Sequence, residues 1–195
     1  MTILLGVLAI LSASAAAGMR IALPLLIIGL LQGQLWYQVP LLSQINPQVV
    51  IAILTSWSFF ELFASKKLLG QRVLQIIQLI FTPFVGAMMA VTVAKLLQLE
   101  FMPLWLVALI GALFSLVLRL VAIGWFFRLR GIPVWVTFIE DGLCVGLVLF
   151  AFKAPKNGGL IAMLLLWLAV RSSTSWRNWF MEKRSPNSAQ RRDPD

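Results

Sequence analysis

Apolar runs of near-bilayer length recur along almost the whole chain, and they restrict the fold more than any other feature. A membrane-spanning helix needs ~20 mostly apolar residues at ~1.5 Å of rise each. Six stretches approach that requirement: Ile3 to Leu31, Val49 to Ala64, Val73 to Ala94, Leu104 to Phe127, Pro133 to Phe152, and a shorter one from Gly159 to about Val170. Only 12% of residues are charged, about half the share of an ordinary soluble domain. The expected fold is therefore all-α, a polytopic membrane helical bundle of about six transmembrane helices over residues 1–180. A disordered, basic cytoplasmic tail follows at 181–195.

The charges left inside those runs are the most informative residues. They are Arg20 in the first, Glu61 in the second, Arg119 in the fourth, and the adjacent pair Glu140 and Asp141 in the fifth. Each would cost at least ~2.5–3.5 kcal/mol at the centre of a helix facing lipid. The cheaper arrangement turns them inward and pairs opposite signs, and a guanidinium can hold a carboxylate through two bonds. Neighbouring helix residues point ~100° apart, so Glu140 and Asp141 should address different helices. If all five cluster, one acid is in excess and can load and release a proton. The alternative is a static ionic tie between helices.

Gly18 and Pro24 bracket Arg20, and the long first run either breaks or kinks there or crosses as one tilted helix. The same run starts "MTILLGVLAILSASAAAGM", which resembles a signal peptide. No Lys or Arg precedes its apolar core, however, and apolarity continues past the small-residue cluster, so it reads as a retained span. Between the first two runs, "QGQLWYQVPLLSQINPQ" carries Trp36 and Tyr37 and suits an interfacial or re-entrant position. After the sixth run, Trp176, Trp179 and Phe180 lie beside Arg171, Arg177 and Lys183. That grouping fits an interfacial anchor or a continuation of the last helix.

The connectors set the orientation. Lys66, Lys67 and Arg72, then Arg128 and Arg130, then the tail arginines and lysines fall on one side of a six-span path. Positive residues stay inside, so both termini should be cytoplasmic, with the basic tail near anionic lipid headgroups. The +9 net charge is thus explained by topology and does not point to nucleic acid.

Halving the chain after the third run aligns Arg20 with Arg119, and "SFFEL" (58–62) with "TFIED" (137–141). An odd number of spans per half would make this a 3+3 inverted repeat, a plan used by many transporters. Gly111 and Ser115 in the fourth run form a small-x-x-x-small spacing, which serves an internal packing face or a homo-oligomer contact equally well.

The segments "GMRIALP" (Gly18, Arg20, Pro24), "ELFASK" (Glu61, Lys66), "TPFVGA" (Pro83, Gly86) and "IPVWVTFIED" (Pro133, Glu140, Asp141) occur in an order that resembles the bacterial membrane family called domain of unknown function 4126. The likeness spans roughly residues 1–175. Ser65 stands where that family often has Asp before the Lys. The resemblance implies a multi-pass membrane protein, bacterial cell membrane included, and implies no activity.

The chemistry available is narrow. The chain has no histidine and a single cysteine, Cys144. His-ligated metal centres, Ser-His hydrolases and His-Glu-x-x-His proteases are excluded, and no metal or cofactor is expected. Asp141 is the only aspartate within a run, which also excludes a two-Asp protease, so the chain does not read as an enzyme. Two functions remain. One is a small transporter or channel, in which an anionic solute or lipid headgroup meets Arg20 and Arg119 and a carboxylate couples protons. The other is a membrane scaffold or assembly factor whose buried charges are structural.

Overall fold

A computed structural model of the chain describes residues 3–31, 44–64, 68–99, 103–129 and 134–184. Seven helices occur among them, with no strand: α1 (Ile3–Met19), α2 (Ala22–Leu31), α3 (Pro47–Ala64), α4 (Leu68–Leu96), α5 (Leu104–Leu129), α6 (Val134–Lys153) and α7 (Pro155–Arg184). The aromatic segment at 32–43, Lys66, Lys67 and the end of the expected tail, 185–195, lie outside the described residues.

Helix α1 is the axis of the bundle and packs against α4, α5, α6 and α7. Its sequence explains how four helices fit around it. Residues 12–18, Ser-Ala-Ser-Ala-Ala-Ala-Gly, are all buried, so small side chains cover every face of its second half. A helix without a polar face belongs in the interior, and small residues let neighbouring backbones approach closely. The stretch that resembles a cleavage site is therefore a packing surface. Two hydroxyls make it specific: Ser12 donates to the Leu147 carbonyl of α6 at 2.7 Å, and Ser14 donates back to Ile10 at 2.8 Å.

The α4–α5 contact is built the same way. A Cβ on Gly86 would lie 2.6 Å from the Ser115 Cβ and 2.7 Å from the Gly111 carbonyl oxygen. A Cβ on Gly111 would meet Ala90, the Gly86 carbonyl oxygen at 2.6 Å, and Ser14 Oγ of α1 at 3.0 Å. The Gly111/Ser115 spacing is thus used for internal packing, where α1, α4 and α5 meet. Helix α4 closes with a 6→1 bond from Leu99 N–H to the Ala94 carbonyl (3.0 Å) and a bond from Gln98 N–H to Lys95 (3.1 Å). Gln98 takes the left-handed conformation this cap requires, φ 51°. Pro155 starts α7 immediately after α6, a position where its missing N–H costs nothing.

Three helical stretches among the described residues are long and apolar enough to cross a membrane: Arg72–Leu96, Leu104–Trp125 and Trp135–Lys153. The long first run is divided. Helix α1 stops at Met19 and α2 restarts at Ala22, so the pieces have 17 and 10 residues, ~26 Å and ~15 Å of helix. Around the outside, large apolar side chains stand exposed, among them Ile76, Phe84, Trp105, Leu113, Phe138 and Leu164. A band of this kind suits hydrocarbon rather than water.

The two halves of the chain differ in packing. Helix α1 breaks at Arg20, while α5 runs unbroken through Arg119. Helix α1 packs closely on α6, and α5 makes no comparable contact with α3. Helix α7 continues to Arg184 as one 30-residue helix, so it extends well beyond Val170 and takes in the aromatic and basic residues 171–184.

Candidate functional site

The site is organised by the gap between α1 and α2. Ending a helix leaves its last carbonyls without partners and presents the negative end of the helix dipole. Two cations answer this inside the bundle. Arg20 occupies the gap, its backbone N–H donating to the Ala16 carbonyl at 3.1 Å and its guanidinium lying beside the helix end. Arg119 reaches across from α5 and donates from Nη1 to the Met19 carbonyl at 3.3 Å. The Cys144 thiol, fully buried, lies 3.5 Å from the Ala16 carbonyl and is a packing residue with a weak donor role.

Gly18 and Pro24 flank the break as the sequence indicates, and each acts differently from a hinge. Gly18 is in the last turn of α1, where a Cβ would fall 2.9 Å from the Ser115 carbonyl oxygen; its job is to let α5 approach. Pro24 is the third residue of α2, in the first turn, where a missing N–H is tolerated.

From the gap, a polar chain crosses four helices. Arg20 Nε donates to Asp141 Oδ1 of α6 at 2.6 Å, and Arg20 Nη1 lies 4.0 Å from Glu61 Oε2 of α3. Glu61 Oε1 accepts from Trp57 Nε1 at 3.0 Å and from Gln78 Nε2 at 2.9 Å. Gln78 Oε1 in turn accepts from Arg119 Nη2, which also reaches Gln75 Oε1 at 2.9 Å. Of the five charged residues singled out by sequence, Arg20 thus meets two, Glu61 and Asp141, and Arg119 joins them through the Gln78 amide. Among the described residues Arg119 has no carboxylate within ion-pair reach, and its Nε has no hydrogen-bond partner.

Glu140 is coupled to Arg20 and Arg119 only through their charge. It is half-buried and has no hydrogen bond or ion pair among the described residues. Its neighbour Asp141 faces the gap, whereas Glu140 faces a separate cavity between α1, α5 and α7. The ~100° between adjacent helix residues accounts for the divergence.

Trp57, Gln75 and Gln78 are the residues that a search for charges misses. Trp57 precedes Glu61 by four residues, and Gln75 and Gln78 are three apart, so each pair shares a helix face. Polar amides in a run with no charge were the available signal.

A cavity of ≈ 290 Å³ opens onto the ionic part of the chain. Arg20, Glu61 and Asp141 line it together with Thr55 and Ser58, against Leu23, Leu26 and Phe59. Asp141 is 21% exposed while Arg20 and Glu61 are 5% and 3%, so Asp141 is the ionised group a solute meets first. The Ser58 hydroxyl is buried without a hydrogen-bond partner, an unusual state for a buried donor. One cation against two carboxylates gives the cavity a negative excess. No group of His, Cys, Asp and Glu among the described residues has the arrangement to hold a metal ion.

The sequence model of the family described as "Domain of unknown function (DUF4126)" matches residues 7–175. The chain belongs to this family. The match takes in every helix that contributes to the DUF4126 protein's polar chain, from α1 to α6. Neither a curated protein nor a solved structure matches the chain. A domain of unknown function together with long apolar helices is consistent with a membrane protein.

Proposed function

We propose that this is a multi-pass membrane transporter or channel that carries protons through the cavity beside Arg20, with Asp141 as the group that loads and releases them. The observation behind this reading is the cavity itself. It combines two carboxylates, one arginine and an unpartnered hydroxyl. Asp141 is the more exposed of two carboxylates that share one arginine, so it is the acid that a proton entering the cavity meets first. An anionic solute bridging both arginines is the weaker version, because Arg20 is engaged by acids and Arg119 by Gln75, Gln78 and Met19.

In this reading the chain spans the membrane about six times, α1 and α2 forming one broken span. Both ends are cytoplasmic and the basic tail rests on anionic lipid. The setting is a bacterial cell membrane. The unequal packing of the two halves weighs against treating them as interchangeable, so the proton route is not drawn as an inverted repeat.

Proteoliposomes with an internal pH-sensitive dye and an imposed potassium diffusion potential test the proposal. Wild-type protein should admit protons well above the rate of empty vesicles, and Asp141→Asn should abolish most of the increment. Wild-type flux equal to that of empty vesicles, or full flux in Asp141→Asn, defeats it. The bonds from Arg119 Nη1 and Nη2 to Met19, Gln75 and Gln78 favour a second reading, a scaffold whose charges tie helices together, and that reading would then stand.

A further inference from the structure

The polar chain described above leaves Glu140 unused. Glu140 lines a cavity of ≈ 200 Å³ whose other walls are Gly18 and Met19 of α1, Leu118, Val121, Ala122 and Trp125 of α5, and Leu165, Leu168 and Ala169 of α7. Every other lining side chain is uncharged and nearly all are aliphatic. The carboxylate has no donor of its own among the described residues, so the charges of Arg20 and Arg119 acting from the neighbouring polar chain offset only part of the cost of burying it. The cavity reaches the apolar perimeter beside Trp125 (51% exposed) and Leu168 (46%). The Trp125 ring is fixed there, because its Nε1–H donates to Ser172 Oγ at 2.7 Å. An aromatic face at the rim and an acid in the wall are the two elements that recognise an alkylated ammonium, and aliphatic walls suit its carbon chain.

We infer that the Glu140 cavity is a binding site for an amphiphilic ammonium, entered from the hydrocarbon side past Trp125. The cationic head meets Glu140 and the Trp125 ring, and the alkyl chain lies along Leu168 and Val121. The cavity admits a head group and the start of a chain rather than a whole lipid. Two sources share this chemistry: the head of an amine-bearing phospholipid and a free lipophilic amine. The site is separate from the Arg20 cavity, since Glu140 and Asp141 leave α6 in different directions. It stands or falls apart from proton movement at Asp141.

The purified protein in maltoside micelles is titrated calorimetrically with hexyltrimethylammonium, and with hexanol as the uncharged comparison. Saturable binding of the ammonium and none of hexanol is expected. Glu140→Gln, which keeps shape, should weaken it at least about tenfold, and Trp125→Ala about threefold or more, the size of a cation–π contact. Ala122→Leu keeps the acid and fills the cavity, and should also abolish binding. Melting temperatures within a few degrees of wild type establish that each variant is folded. Added phosphatidylethanolamine that displaces the probe, where phosphatidylglycerol does not, assigns the site to lipid headgroups; a probe displaced by neither assigns it to free amines. Binding of hexanol as strong as that of the ammonium, or undiminished binding in Glu140→Gln, overturns the inference.

Discussion

Replacing Arg20 with Gln is the perturbation whose cost can be worked most directly from the structure. Arg20 is 5% exposed, donates to Asp141 at 2.6 Å and lies 4.0 Å from Glu61, itself 3% exposed. Removing one partner of a buried pair strands the other, at a cost of ~3–5 kcal/mol. Asp141→Asn should cost less. Asp141 is 21% exposed, and Arg20 retains Glu61, so the loss is that of one charge-assisted hydrogen bond discounted for solvent, ~1–2 kcal/mol. In Arg20→Gln/Asp141→Asn no carboxylate remains at position 141, while Glu61 keeps Trp57 and Gln78. The double variant should therefore be more stable than Arg20→Gln alone, with a coupling of ~1–3 kcal/mol. Reversible unfolding by dodecyl sulfate in mixed micelles, followed by far-ultraviolet dichroism, measures all four corners of this cycle. Costs that add to within ~0.5 kcal/mol, or an Arg20→Gln loss below ~1 kcal/mol, would show that the two residues do not depend on each other and would refute the pairing argument.

Three further outcomes can be checked by the same unfolding assay. Gln98→Gly should stabilise the protein by ~0.5–1 kcal/mol, because the left-handed residue that caps α4 loses its side-chain strain while the unfolded chain gains some freedom. Gly86→Ala should destabilise by ~1–3 kcal/mol through overpacking. Adding Ser115→Gly should restore only part of that, since the Gly111 carbonyl oxygen 2.7 Å away is backbone and stays. Gln78→Leu removes a partner from Glu61 and one from Arg119 together. At ~1.5–3 kcal/mol per hydrogen bond to a charged group it should be among the most damaging single changes in α4, and a loss under ~1 kcal/mol would mean that the amide is not bridging them.

The Arg20–Asp141 contact was legible because hydrocarbon leaves a buried arginine few alternatives to an acid on a neighbouring helix. Where a break could fall was legible from Gly18 and Pro24 around a charge, but whether the run breaks or only tilts was not, because tilt also absorbs extra length. The individual roles of these two residues were not legible either. Whether a glycine loosens a helix or admits a neighbour depends on which residues of α5 face it, and that is tertiary information. Arg119 misled for a related reason. Its sign suggests an acidic partner, but amides and a helix-end carbonyl satisfy a guanidinium too, and neutral glutamines do not register when charges are counted. The buried stretch at 12–18 was ambiguous in sequence because signal-peptide cleavage sites and tight helix packing both select small residues. Divergence of Glu140 and Asp141 followed from helix geometry alone, whereas the cavity each one faces required the positions of α3 and α7.

Water access to the cavity beside Arg20 separates an interior site from a sealed ionic tie, and a cysteine in place of Ser58 measures it. In a Cys144→Ala background, Ser58→Cys is exposed in proteoliposomes to a membrane-impermeant cationic thiosulfonate, with Asn157→Cys as the exposed reference and Phe81→Cys as the lipid-facing one. A cavity open to water and lined by excess acid predicts steady labelling at Ser58→Cys, with a stronger preference for the cationic over the anionic reagent than at Asn157→Cys. A cysteine at position 58 as inert as the one at position 81 would contradict it.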